Sequence, residues 1–259
     1  MRFTVYDFDV VTSPAPDDRG DTPMPEPAAP LRLLSTLGVM GALRSRQPAL
    51  EQALGAPLDV TYAPTKVLLD RFAAGAAADV VILTAEAVAA LTTAGRLLPG
   101  AAPLVASLVG IAQAPGQPHP DLGSVAGLIA TLRAARGVAY SGAGASGLFF
   151  AALIERLGIA AEVNAKATII PEGLTGALVA RGDTQYAIQQ MSELALVEGI
   201  DILGPLPAET QTPTIFTAAA VAGSAQADAA AQLVRLLAGR EMAPAYTAAG
   251  LTPVARAPD

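Results

Sequence analysis

Short apolar runs alternate with amphipathic segments along the chain from residue 31 onward. The runs Leu31–Ser35, Leu58–Ala63 and Asp79–Leu83 predict buried strands, because each is short, apolar and followed by turn or helix-starting residues. The segments between them, Val39–Leu54 and Val67–Ala74, carry apolar residues at helical spacing. This β-α-β-α-β order predicts a sheet of parallel strands with helices on both of its faces.

The alternation continues through the rest of the chain. The segment Glu86–Ala94 predicts a helix that ends at Gly95, a residue type that favours helix C-termini. The apolar run Leu104–Ala112 predicts one long strand that leads into a second α/β unit. Further predicted strands are Gly137–Tyr140, Ala165–Ile170, Tyr186–Gln189 and Ile215–Val221.

Two chain crossings divide this pattern into two lobes. Segments near 108–112 and 204–214 are predicted to join the lobes as a two-strand hinge. Lobe 1 then comprises residues 31–108 plus 212–259, and lobe 2 comprises residues 109–211. The predicted fold class is α/β, with a mostly parallel sheet flanked by helices in each lobe. Ligands of such sheets bind outside the carboxyl ends of the strands.

Charge and cysteine usage narrow the function classes. The 259 residues carry a net charge of −7 and no cluster of Lys or Arg, so we expect no nucleic-acid partner. No apolar stretch reaches the roughly 18 residues of a membrane span, so we expect no membrane insertion. A sequence without cysteine and with one histidine, His119, excludes disulfides, thiolate catalysis and multi-histidine metal sites. We therefore expect neither a metal nor a cofactor.

Residues 1–30 have their own composition. They are rich in Asp and Pro and predict a disordered lead-in. They lack the basic start and the apolar stretch of a secretory signal, which indicates a cytoplasmic protein as the sequence is written. Met24 is an alternative start, and the location becomes periplasmic if the first residue is misassigned.

Small or hydroxyl-bearing residues stand where several predicted strands give way to helices. Ser35-Thr36, Pro64-Thr65, Gly144–Gly147 and Pro171–Gly173 occupy four such positions. A helix N-terminus offers unpaired backbone N–H groups and a partial positive charge, so several that converge form an anion site. The alternative interpretation is that each is an ordinary N-cap. The segment Gly142–Gly147 lacks the Gly-Lys-Ser/Thr ending of a phosphate-binding loop, which argues against nucleotide binding.

Charged and amide side chains also lie near these strand ends. Lys66 stands in the first turn of its helix, where a cation opposes the helix dipole unless an anion binds there. A solvated surface lysine is the alternative. Gln189 and Gln190 end a strand, and because adjacent strand residues point to opposite faces, at most one of them reaches a given cleft. Glu172 and Glu193 are candidate general bases or ordinary helix-start carboxylates.

Several local motifs resemble one family. The stretch Tyr62–Leu68 (YAPTKVL), followed by Ala74–Val80 (AGAAADV), resembles the molybdate-binding proteins of ABC importers, in the type II periplasmic-binding-protein superfamily. Weaker matches are Gly173–Leu178 and Ala248–Leu251, and the resemblance covers residues 31 to about 253. It implies a two-lobed fold that holds an anion in its cleft. Carried onto this sequence, the implied ligand-binding positions are Ser35, Thr36, Gly38, Thr65, Ser146, Leu174 and Gln190.

Three positions depart from the family pattern. Gly38 stands where the family has a serine, Gln190 where it has a tyrosine, and Lys66 where the molybdate site is uncharged. A lysine with amides and hydroxyls suits a carboxylate better than molybdate, because each carboxylate oxygen accepts a charge-assisted hydrogen bond. The candidate ligand-binding set therefore also includes Lys66, and Gln189 beside Gln190.

Two functions remain open at this point. The first is a solute-binding protein that closes on a small anion, an organic carboxylate, and that serves an ABC importer if it is exported. The alternative is a cofactor-free isomerase of a small unsaturated di- or tricarboxylate, like the aconitate-isomerase relatives of the superfamily. In that case Lys66 or Glu172 would be the base, and helix dipoles would stabilise an enolate-like intermediate.

Overall fold

A computed structural model describes residues 29–254 of the chain. The predicted lead-in over residues 1–30 lies outside the described residues, apart from its last two positions. The strands, in chain order, are β1 (Leu31–Ser35), β2 (Leu58–Tyr62), β3 (Val80–Thr84), β4 (Ala102–Ser107), β5 (Val109–Gln113), β6 (Val138–Ser141), β7 (Ala167–Ile170), β8 (Tyr186–Gln190), β9 (Asp201–Pro205), β10 (Thr214–Ala220) and β11 (Thr252–Pro253).

Ten α-helices connect the strands within the described range. They are α1 (Met40–Leu54), α2 (Thr65–Ala73), α3 (Ala85–Thr93), α4 (Val125–Ala134), α5 (Ala145–Arg156), α6 (Ala160–Asn164), α7 (Gly176–Ala180), α8 (Met191–Leu194), α9 (Ala227–Leu237) and α10 (Ala243–Ala248). The predicted stop of α3 is confirmed, because Gly95 follows the helix with a left-handed φ of 68°. No helix in the described part of the chain has the length and apolar character that a membrane crossing needs.

The strands form two sheets, each flanked by helices. The six-stranded sheet has the order β11-β4-β10-β3-β1-β2, and the five-stranded sheet has the order β7-β6-β8-β5-β9. Strand β1 pairs in parallel with β2 and β3, and β6 pairs in parallel with β7 and β8. The α/β class and the two-lobed architecture that the sequence predicts are confirmed.

The strands beside the crossings run against their neighbours, so both sheets are mixed and not mostly parallel as the sequence predicts. Strand β10 is antiparallel to β3 and β4, and β5 is antiparallel to β8 and β9. The prediction of one long strand over Leu104–Ala112 is wrong, because β4 ends at Ser107 in one sheet and β5 begins at Val109 in the other. Both strands are largely buried, so their hydropathy runs on without a break where the chain changes sheets.

Apolar side chains cover both faces of each sheet. Along β1, Leu33 belongs to the cluster on one face and Leu34 to the cluster on the other, as the two-residue repeat of a strand requires. Phe216 of β10 is fully buried in the first of these clusters. A side chain at Gly38 would overlap its ring, with Cβ 2.6 Å from the Phe216 Cζ atom. Glycine therefore lets the turn after β1 pack directly on β10 beside the strand ends.

Candidate functional site

A cavity of about 450 Å³ lies where elements of the two sheets meet. From the first lobe it is lined by the start of α2, the end of β3 and the start of α3. From the second lobe it is lined by the start of α5, and the crossing segment before β10 closes one side. The lining residues are Thr65, Lys66, Leu69, Thr84, Glu86, Ala145, Leu148, Thr212, Pro213 and Thr214.

The two lobes touch beside this cavity. The backbone N–H of Lys66 donates to the carbonyl oxygen of Ala143, at 3.3 Å. Further along the cleft, Arg71 of α2 lies 3.8 Å from Glu172, which follows β7. The first turn of α2 therefore contacts the segment before α5 across the cleft.

The turn between β6 and α5 is held by one hydroxyl group. Ser141 Oγ accepts hydrogen bonds from the backbone N–H groups of Ala143 and Gly144, at 3.2 and 2.8 Å. This bends the chain from the strand into the helix and places Ser146, which is buried, in the first turn of α5. The sequence therefore sets this edge of the cleft locally, through a serine three residues before a glycine.

Buried polar groups lie at several strand ends. Ser35 ends β1 and Thr36 follows it, Thr65 begins α2, Gln190 ends β8, and all four are at most 8% exposed, but only Thr65 among them lines the cavity. Thr65 Oγ1 and Gln190 Oε1 are buried and have no hydrogen-bond partner among the described residues. Since a buried polar atom without a partner is costly, these two atoms mark positions that a polar ligand can satisfy.

The two adjacent glutamines have different partners. Gln189 Oε1 accepts from the backbone N–H and the hydroxyl of Thr175, at 2.7 and 2.9 Å, and its Nε2 donates to the carbonyl of Gly173. Gln190 Nε2 instead donates to Thr214 Oγ1, at 3.2 Å, and Thr214 lines the cavity. Gln189 thus holds the loop that carries Glu172 and the partly buried Leu174, while Gln190 is the one directed to the cavity side.

Lys66 and Glu172 are both exposed. The Lys66 ammonium pairs with Asp70 at 2.7 Å, and the Lys66 side chain is 58% exposed. Glu172 is 53% exposed, and its contact is with Arg71 and not with the cavity. Lys66 does line the cavity, so the structure supports its placement there. Its side chain is nevertheless in contact with solvent, and not in the dry surroundings that would favour a neutral lysine acting as a base.

Sequence reasoning missed several cavity-lining residues. Thr84 ends β3 and Glu86 lies in the first turn of α3, a strand end that the sequence analysis did not include among the candidate site positions. Leu69 and Leu148 form the apolar wall of the cavity. They lie on helices α2 and α5, and hydropathy alone does not show which face of each helix points to the cleft. Within residues 29–254, no group of three or more His, Cys, Asp or Glu side chains is arranged to hold a metal ion.

One buried carboxyl group lies next to the glutamine pair. Glu193 of α8 is 7% exposed. Burial raises its pKa to about 7, and hydrogen bonds with the Gln189 side chain and the Gln190 backbone only partly offset that effect. Because the folded pKa lies above the unfolded value, the folded protein binds the extra proton between pH 4.5 and about 7 and loses stability as pH rises through that range.

We expect Glu193→Gln to remove this loss. Relative to the original protein, the variant should gain about 3 kcal/mol in free energy of unfolding between pH 4.5 and pH 8, because the amide has no charge to bury. Urea unfolding at a series of pH values measures the difference. The exposed Glu198, replaced by Gln, is the control. A constant difference across the pH range would contradict the prediction.

Known proteins resemble this chain in sequence and in fold. The family model described as bacterial extracellular solute-binding protein matches residues 31–252. An aconitate isomerase from Pseudomonas sp is 35% identical over 240 residues, which cover 90% of this chain and 91% of that protein. Two solved structures have the same fold. The periplasmic molybdate-binding protein of Azotobacter vinelandii matches with a TM-score of 0.72 and 17% identity, over 88% of this chain and 100% of that one. A sulfate-binding protein of Mycobacterium tuberculosis matches with a TM-score of 0.70 and 18% identity, over 88% of each chain. They confirm the resemblance in fold that the sequence motifs indicated.

Proposed function

The chain belongs to the bacterial extracellular solute-binding protein family, and from that premise we propose that it binds a small unsaturated polycarboxylate in the inter-lobe cavity and isomerises it. The observation that carries the proposal is the similarity to the Pseudomonas aconitate isomerase, which extends over about nine tenths of both chains. The solved structures, at 12–18% identity, support the fold alone.

The size and lining of the cavity support an organic acid as the ligand. Its volume of about 450 Å³ falls in the range of roughly 300–1,000 Å³ found for pockets that hold organic molecules. Leu69 and Leu148 offer apolar surface to a carbon skeleton. The Lys66 ammonium and the hydroxyls of Thr65 and Thr84 offer donors to carboxylate oxygens, which accept charge-assisted hydrogen bonds.

A solute-binding protein without chemistry is the second candidate. It is favoured by the family match and by the contacts between the lobes at Lys66 and Arg71, since closure on a ligand is the signalling event in such proteins. In that case the closed complex would be presented to an ABC importer if the protein is exported. Both candidates share the cavity and the carboxylate ligand, and they differ only in whether the bound molecule changes.

One experiment separates the two functions. The purified protein is incubated in deuterated buffer with cis- and trans-aconitate, citrate, molybdate and sulfate, and melting temperature and proton NMR are recorded together. We expect an aconitate isomer to raise the melting temperature and to exchange deuterium or convert to the other isomer. A melting shift with an unchanged ligand spectrum would identify a binding protein. A shift with molybdate or sulfate only would contradict the carboxylate assignment.

Thr65→Val tests the site without disturbing the fold. Because the Thr65 hydroxyl is buried and has no partner, its replacement by an isosteric methyl group should leave the free energy of unfolding unchanged or raise it by about 1 kcal/mol. Affinity for the carboxylate should fall about tenfold, the equivalent of one lost hydrogen bond. Calorimetric titration measures it. Thr217→Val, which removes another buried and unpartnered hydroxyl away from the cavity, should keep the original affinity.

A further inference from the structure

The cavity is bordered by two titratable side chains among the described residues, Lys66 and Glu86. Isomerisation of an unsaturated polycarboxylate moves a proton from one carbon to another, so the site needs a group that accepts a proton and returns it. The sequence hypothesis gave this role to Lys66 or Glu172. The structure changes that assignment, because Glu172 does not line the cavity.

Lys66 is suited to bind an anionic group of the ligand. Its ammonium lies 2.7 Å from Asp70 Oδ2, one helical turn further along α2. A lysine held in an ion pair at the mouth of a cavity is a cation that attracts and orients a carboxylate. Lys66 therefore binds a carboxylate of the ligand, and another group transfers the proton.

Glu86 is the carboxylate that lines the cavity. It stands in the first turn of α3, whose start is fixed by Thr84, with Thr84 Oγ1 accepting from the backbone N–H of Ala87 at 3.4 Å. Glu86 is exposed, and among the described residues it forms no ion pair. The same cavity is bordered by the apolar Leu69 and Leu148, so carboxylate and carbon skeleton can meet there.

We propose that Glu86 is the catalytic base that shuttles the proton in this reaction, an inference that rests on the proposed isomerase function. The Glu86 carboxylate takes a proton from the CH₂ group beside the double bond. The electrons of the broken C–H bond form a new C=C bond to the central carbon, and the old C=C pair moves to the far carbon. That carbon receives a proton from the Glu86 carboxyl group, which returns to carboxylate, so one proton leaves and one is added.

The exposure of Glu86 has a measurable consequence. A protonated carboxyl group in contact with solvent exchanges its proton with water faster than most enzymatic steps are completed. In deuterated buffer, product and recovered substrate should therefore carry deuterium at the carbon that receives the proton. A fully enclosed base would instead return the original proton.

The test compares Glu86→Gln with a matched surface variant, with trans- and cis-aconitate as probes. Glu86→Gln should slow isomerisation and deuterium incorporation at least about 100-fold, the usual contribution of a general base. Its ligand-induced rise in melting temperature should stay, with a dissociation constant within about threefold of the original. Asp228→Asn, which removes an exposed carboxylate from the first turn of α9, should keep full activity.

The outcomes distinguish a failure of the Glu86 assignment from a failure of the proposed isomerase function. If the original protein neither exchanges nor isomerises any probe, the isomerase function fails and Glu86 has no such role. If the original protein is active and Glu86→Gln retains its rate, the isomerase function stands and the assignment of Glu86 is overturned. Loss of activity in Glu172→Gln with an active Glu86→Gln would move the base to the second lobe and overturn the assignment as well.

Discussion

Replacing Gly147 by alanine is expected to destabilise the protein by about 3 kcal/mol or more and to abolish binding of the proposed carboxylate ligand. A Cβ atom at this position would overlap the carbonyl oxygen of Ser141, and it would lie 2.6 Å from the carbonyl carbon and 2.8 Å from the backbone nitrogen of the same residue. Because these are backbone atoms of β6, a rotamer change cannot relieve the overlap. The first turn of α5, with Ser146 and Ala145, must then move away from the cleft.

Thermal unfolding and calorimetric titration measure the two effects. For a chain of this size, the loss of about 3 kcal/mol lowers the melting temperature by roughly 6–12 °C. Gly123→Ala is the matched control, since its nearest neighbour, Asp121 Oδ1, would lie at an ordinary contact distance of 3.4 Å. A Gly147→Ala protein with unchanged melting temperature and unchanged affinity would show that α5 does not depend on this close approach.

Asp79→Ala should cost about 3 kcal/mol of unfolding free energy, with a different signature. The fully buried Asp79 carboxylate accepts hydrogen bonds from the Arg32 backbone N–H at 2.8 Å, from the Arg32 guanidinium at 3.2 and 3.3 Å, and from Ser224 Oγ at 2.7 Å. It therefore ties the starts of β1 and β3 to the turn before α9. Its removal leaves the Arg32 backbone N–H and the Ser224 hydroxyl without this acceptor, while the half-exposed Arg32 guanidinium can turn to solvent.

The Asp79→Ala variant should also show a different dependence of stability on acid pH. Burial acts to raise the pKa of Asp79, but the hydrogen bonds from Arg32 and Ser224 outweigh it and hold the pKa below its ordinary value. The group thus contributes stability at neutral pH that is lost as pH falls through the lowered pKa, and the variant should lack that part of the acid transition.

Urea unfolding at pH 7 and in acid checks this, with the exposed Asp59→Ala as control. Carboxylate affinity of the Asp79 variant should stay unchanged while it is folded, because Asp79 lies at the opposite ends of the strands from the cavity. A loss of affinity equal to that of the Gly147 variant would contradict this separation.

The sequence by itself determined the class of the fold and indicated the strand ends at which polar groups stand. Alternation of apolar runs with helical spacing is local, so β1, β2, β3 and their helices were predicted to within a few residues. The hydroxyls after the strands were predicted for the same reason, since Thr65 and Ser146 follow directly from where a strand ends and a helix begins.

Only the tertiary structure decided which of these groups share a cavity. The split at Leu108 and the antiparallel placement of β5 and β10 depend on which strands become neighbours in space, and hydropathy is the same on either side of the crossing. Gln189 and Gln190 have different roles because the Gln189 amide accepts from Thr175 and the Gln190 amide donates to Thr214. Neither partner is a neighbour of the glutamines in the sequence. Glu86 was identified in the same way. The sequence around a glutamate at a helix start does not show whether its side chain only interacts with the helix dipole or also lines a cavity. Local sequence indicates which residues are candidates for the site. Which of them are buried and close together depends on how the two sheets assemble.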